Sequence, residues 1–303
     1  MSSHDSDMQA PVAGSVFRPE FEKLRHMETF TDAMFNRIVA MQQREHPAWD
    51  ASRPFEERIR DLPLHALIFS NPDRDPARFA HTVAPFYPLR GELHQLAYCI
   101  RQLGEQPRVL DLHPGNGFIG SLLAREGVAV TGLRQPGGKP NQIAEFHDPF
   151  CYQFRDGTLA DIGEEFDVVF SAWMPAGVNV TPQIIQRRPK LIIFIHTDHV
   201  DTASGLPQTG TPQAFRELPA DYALIAEWSI TRPDNLLHEV WADLTPSIEE
   251  LRHVKVYAAT PFHGIDVRPA PFDSGLYDWE YELDMALTAL QAKQALRAQG
   301  FPV

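Results

Sequence analysis

Cysteine is scarce in this chain: Cys99 and Cys151 are the only two in 303 residues. They lie far apart and form no C-x-x-C unit, so a disulfide framework, a zinc ribbon and a dithiol redox motif are excluded, and a reduced compartment is expected. Positive charge is also short. With 27 Lys and Arg against 40 Asp and Glu, the formal net charge is -13, which repels a phosphate backbone, and no basic run interleaved with aromatics offsets it. Nucleic-acid partners are disfavoured. Long apolar runs are missing too: the longest, at 191–195, falls far below the length of a membrane span. The opening MSSHDSDMQAPVAGSVF has neither the basic nor the apolar region of a secretory signal. The expectation is a globular cytoplasmic protein with no membrane partner. The sequence also has no Walker loop, no serine nucleophile elbow and no Cys/His nucleophile pairing, which sets aside phosphate-loop enzymes and hydrolases of those kinds.

Periodicity is plentiful. Phe21, Leu24, Met27, Phe30, Met34, Phe35, Ile38 and Met41 recur at three- and four-residue spacing, which predicts an amphipathic helix over 19–45 with its stripe used for packing. Two shorter helices are expected over 54–69 and 90–103, separated by the turn-rich SNPDRDP. From Arg108 the pattern changes to short β-rich runs between helical ones: VLDL, VAVTGL, FDVVFSAW, KLIIFIHT and YALIAEWSI. Such alternation predicts an α/β fold, a doubly wound, mainly parallel sheet with helices on both faces. HEVWADL and HVKVYAA read as further strands at an antiparallel edge, and 279–298 as a closing helix. The expected division is a polar tail (1–18), a helical lid (19–104), the sheet-bearing core (105–262) and a C-terminal loop and helix (263–303).

Gly115, Gly117 and Gly120 spell G-x-G-x-x-G directly after a strand and at the opening of a helix. There the backbone can approach a nucleotide closely and the helix presents free N–H groups. Two cofactor classes use that geometry. PGNGFIGSLLA is similar to the turn of short-chain and extended NADP dehydrogenases, and Arg134 would suit a 2′-phosphate. Against that reading, the turn comes a hundred residues into the chain, its helix is short, and no Tyr has a Lys four residues later.

The stretch VLDLHPGNGFIGSLLAREGVAVTGLR resembles, without a gap, the first motif of the class I S-adenosylmethionine (SAM) dependent methyltransferases. The resemblance extends over roughly 86–230 and implies a Rossmann-like fold, SAM as cofactor and methyl transfer as the reaction. Asp111 matches the motif acid, and Gly115 and Gly117 match its second and third glycines, with Asn116 between them. Asp156, followed by Gly157, resembles the acid after the third strand that sits beside the adenine. The segment 166–173, with Ser171, resembles the fourth strand and the start of the active-site loop. Tyr87 and Arg90 in PFYPLRGEL resemble the segment that closes over the methionine end. Two positions depart from the pattern. His113 stands where the family has its first Gly, and Arg134 where it has the acid that binds both ribose hydroxyls, a role that a cation cannot fill.

Further chemistry is expected in the loops beyond the strands' carboxyl ends, where open parallel sheets bind their ligands. Trp173 and Met174 could stack on adenine or wall a substrate. IHTDHVDTASG holds His196, Asp198, His199 and Asp201, but no separated ligand pair accompanies them, so no metal is assigned. His196 is a candidate general base. Gly137, Gly138 and Asn141 could shape the loop after the second strand around a ribose. The catalytic candidates are thus His196, Trp173 and Tyr87. Methyl transfer depends mainly on alignment, so the acceptor is illegible beyond a small, partly apolar molecule. The alternatives are internal cyclisation or elimination of SAM with release of methylthioadenosine, an NADP-dependent reductase, and a non-catalytic binding protein. A homodimer is compatible with the chain, and Gly117→Val is expected to abolish SAM binding with the fold intact.

Overall fold

Residues 108–134 make the first strand–helix–strand unit, and the rest of the sheet grows from it. The computed structural model describes residues 50, 52–60, 84–86, 88–137, 146–200, 204–233, 249–268 and 295–301. The helix expected over 19–45, the run HEVWADL and the residues Tyr87, Gly138, Asn141 and Asp201 lie outside them. So does most of 279–298, of which 295–298 are helical. Ahead of the sheet come α1 (Phe55–Arg60) and α2 (Arg90–Arg101). Leu93, Leu96, Ala97 and Ile100, at helical spacing, bury one side of α2 in the core.

The strands are β1 (Arg108–Asp111), β2 (Ala129–Arg134), β3 (Tyr152–Asp156), β4 (Val168–Ala172), β5 (Leu191–His196), β6 (Tyr222–Pro233) and β7 (Glu249–Ala259). Between them stand α3 (Phe118–Arg125) and α4 (Thr181–Gln186). One seven-stranded sheet runs in the order β3-β2-β1-β4-β5-β7-β6. The pairs among β1 to β5 are parallel, and β7 is antiparallel to both β5 and β6. The fold is Rossmann-like and mainly parallel. One expectation is corrected: HVKVYAA is not at the edge but one strand in, and YALIAEWSI forms the edge, because β7 turns back between β5 and β6.

Both faces of the sheet are covered, which is why its central strands are apolar at consecutive positions. In β5, Leu191, Ile193 and Ile195 join the core beneath α2 and α3. Ile192 and Phe194 join a second core with Ile184 of α4 and Phe215. Helices therefore lie on both sides, and the strand order reverses between β1 and β4. In such sheets the crevice at that reversal is where ligands settle.

Candidate functional site

The glycine turn stands at the carboxyl end of β1, beside that reversal. Gly115 and Gly117 both have positive φ, 54° and 89°, a conformation that side-chain-bearing residues rarely adopt. A Cβ on Gly115 would meet nothing within 4 Å, whereas one on Gly117 would come within 2.9 Å of both His147 Cβ and Phe154 Cζ. Gly115 thus leaves open backbone for a ligand, and Gly117 is required by packing. Gly117→Val therefore perturbs the fold, contrary to the expectation from sequence. Asn116 lies buried between them. Its side-chain oxygen accepts the Phe118 amide at 3.3 Å and its carbonyl accepts the Phe146 amide at 2.8 Å. Its Nδ2 is buried without a hydrogen-bond partner, an unmet donor at the turn.

Beneath the turn, Tyr152 donates its hydroxyl to Asp111 Oδ2 at 3.0 Å. Burial pushes the Asp111 carboxyl up to about 7, against the pull of the Tyr152 hydroxyl and the His113 amide. The same pair explains two glycines. A Cβ on Gly120 would lie 2.3 Å from Asp111 Oδ2, and one on Gly132 would lie 2.0 Å from the Tyr152 hydroxyl. Tyr152, which the sequence reading did not single out, therefore sets how closely β1, β2 and α3 approach. Its only signal in the sequence is its place in the strand that ends at Asp156.

Arg134 and Asp156, at the ends of β2 and β3, are partners in register. Arg134 Nε donates to Asp156 Oδ1 at 2.9 Å and Nη2 to Oδ2 at 3.4 Å. The guanidinium also lies over the Phe154 ring, 4.6 Å from its centroid. The cation at the expected position of the ribose acid is thus joined to a carboxylate one strand away. Gly157, next in the chain, donates its amide to the Arg134 carbonyl at 3.1 Å.

His113 reaches across the reversal, with Nδ1 2.9 Å from Ser171 Oγ at the end of β4. Burial lowers its imidazole to about 4, so the ring is neutral near pH 7. Trp173, just past β4, has φ 61°, a costly conformation for a bulky residue and one that recurs at functional sites. Its ring packs on Phe86 at 5.2 Å. Phe86 in turn carries the Arg252 guanidinium 4.7 Å above it, and Arg252 Nη2 bonds the buried Glu92 at 2.6 Å. Arg90, buried, is the first residue of α2, two residues before Glu92. Met174 is buried in the second core, which makes it packing rather than an exposed wall.

His196 ends β5 with its ring stacked on Phe215, centroids 4.1 Å apart and planes 3° from parallel. Burial first, then the Lys255 charge, lowers its imidazole to about 4. Asp198 Oδ1 lies 3.7 Å from its Nδ1. Among the described residues no group of His, Cys, Asp or Glu has the arrangement to hold a metal ion, and no helix is long and apolar enough to cross a membrane. A cavity of about 240 Å³ opens elsewhere, between Leu110, Leu159, Ile162, Phe166, Val169 and Arg187, and none of the sequence candidates lines it.

No protein-family model matches the chain, and neither does any curated protein. Solved structures match part of it. One is described as a candidate RNA methyltransferase of Pyrococcus horikoshii, at 14% identity over 56% of this chain and 83% of that one, TM-score 0.37. Another is TehB of Haemophilus influenzae, at 17% identity over 56% and 62%, TM-score 0.38. A third is described as a candidate sarcosine dimethylglycine methyltransferase of Galdieria sulphuraria, at 17% identity over 55% and 83%, TM-score 0.37. The fold assignment rests on the strand order itself.

Proposed function

We propose that this chain is a SAM-dependent methyltransferase acting on a small molecule, with SAM held at the carboxyl ends of β1 to β4. The observation that carries the reading is the glycine turn. Open backbone at Gly115 and the unmet amide donor of the buried Asn116 stand together at the strand-order reversal. The donor suits a ligand carboxylate or hydroxyl, so the residues present fit an amino-acid-bearing nucleoside.

Asp156 supplies the acceptors that Arg134 lacks. A carboxylate has about four lone-pair directions, and the two bonds from Arg134 leave others for hydroxyls while fixing the group's orientation. Asp111 acts from beneath, holding the turn through Tyr152. His113 ties β1 to β4 through Ser171 and holds the first loop as a neutral ring. Trp173 presents its strained backbone and ring at the acceptor side. When bound, SAM supplies an already activated methyl group on sulfur. The chain's part is to orient the acceptor and receive its proton, for which His196 at the end of β5 stands neutral.

The alternative as an NADP reductase has less support. Arg134, the residue it needs for a 2′-phosphate, is committed to Asp156. Antiparallel β7 also interrupts the second parallel half that the dinucleotide fold uses. Calorimetric titration with SAM, with NADPH alongside, tests the proposal. Micromolar SAM binding without NADPH heat is expected, and the reverse would reject it.

A further inference from the structure

Outside the cradle, one cluster of side chains has an order that its strands impose. The antiparallel register sets Ser229 of β6 opposite His253 of β7, and His253 opposite His196 of β5. Ser229 Oγ lies 2.8 Å from His253 Nδ1. On the far side of the same ring, Nε2 lies 3.3 Å from Asp198 Oδ2. Hydroxyl, imidazole and carboxylate therefore follow one another as nucleophile, base and orienting group do. Ser229 is exposed, the His253 side chain keeps only 19% of its surface, and the Asp198 side chain is half exposed, so the two ends of the cluster are open to solvent and its imidazole is covered.

We propose that Ser229 is a nucleophile activated by His253 and oriented through Asp198, and that the cluster cleaves small carboxylic esters or thioesters without using SAM. For Nδ1 to accept the serine proton, the neutral ring must carry its own proton on Nε2. Asp198 faces that nitrogen and favours both this tautomer and the imidazolium that follows. At 3.3 Å Nε2 makes no hydrogen bond in this structure, and charge gained by the ring would draw the carboxylate closer, as catalytic contacts that are loose in the free enzyme tighten during reaction. Asp198 is flanked by Arg216 at 3.9 Å and by His196. Lys255, two residues along β7 and paired with Glu227 at 3.6 Å, brings a cation to the same face. There it can stabilise charge developing on a carbonyl oxygen.

In the reaction, Ser229 Oγ bonds to the carbonyl carbon as its proton passes to His253 Nδ1. The tetrahedral adduct then expels the alkoxide or thiolate, which takes that proton. Water cleaves the acyl-serine by the same path, returning Oγ–H and releasing the acid. No redox partner is needed.

The full chain is treated with a fluorophosphonate probe and with p-nitrophenyl acetate, and the labelled residue is found by peptide mass spectrometry. Label on Ser229 is expected, absent in Ser229→Ala and slowed about a hundredfold or more in His253→Gln. Ser229 is exposed, so Ser229→Ala should fold as the wild type does. SAM heat should be the same in all three proteins, which separates failure here from failure of the cofactor reading. No label on the wild type, label at another residue, or equal rates in His253→Gln would overturn the proposal.

Discussion

Replacing Asp111 by Asn should flatten the pH dependence of stability. The Asp111 carboxyl is buried and raised from 3.8 to about 7. A group whose folded pKa is raised contributes stability that is complete below its unfolded pKa and lost as pH climbs through the folded one. For Asp111 the loss runs from about pH 4 to pH 7, and the separation of the two values is worth about 4 kcal/mol. Between pH 5 and pH 8 about 3 kcal/mol of it is lost. The carboxamide of Asp111→Asn keeps the shape and an acceptor for Tyr152 but has no proton to lose. Urea unfolding of both proteins at pH 5 and pH 8 isolates this residue, since the other titrating groups cancel in the difference. The variant should gain about 3 kcal/mol on the wild type across that interval. Parallel stability curves would refute the claim that a protonatable carboxyl is buried under the turn.

Other consequences concern the same elements. Gly120→Ala, whose Cβ would overlap Asp111 and Tyr152, should cost about 1–3 kcal/mol in unfolding free energy; a cost below a few tenths would mean the aromatic clamp is loose. Asp156→Ala should weaken SAM binding about ten- to hundredfold, the worth of one or two hydrogen bonds to a charged group, and unchanged calorimetric affinity would remove Asp156 from the cofactor site. His196, lowered to about 4, should stay neutral in two-dimensional NMR down to that pH. Its contribution to stability is therefore lost as pH falls from about 6.5 toward 4, and protonation near pH 6.5 would contradict its burial. His113→Ala should cost about 1 kcal/mol, the usual net worth of one hydrogen bond, read by urea unfolding against Ser171→Ala and the double variant.

The parallel half of the sheet was legible because its strands are buried on both faces and so read as apolar runs between helical periods. β3 was less so, because TyrGlnPheArgAsp mixes polar and aromatic residues at the outer edge of the sheet. It was found only through the acid at its end. The place of β7 was illegible for another reason: local pattern specifies a strand but not its neighbour, and only the register Ile192↔Tyr257 and Glu227↔Lys255 shows that it lies between β5 and β6. That same register assembles Ser229 and His253, which are remote in sequence and carry no motif.

The motif glycines illustrate how far spacing alone can be taken. Gly117 and Gly120 are fully explained by Phe154, Tyr152 and Asp111, atoms of this chain, so two of the three glycines would be needed even without a ligand. Gly115 is the one whose open surroundings speak for a bound group. Arg134 teaches the converse. Read as a residue, it removes the ribose acid. Read in register, it stands beside Asp156 and is paired with it, so a carboxylate lies one strand away. If Asp156 serves as proposed, the site keeps its charge pattern while exchanging the strand that supplies it, so Arg in place of the expected acid does not by itself exclude SAM.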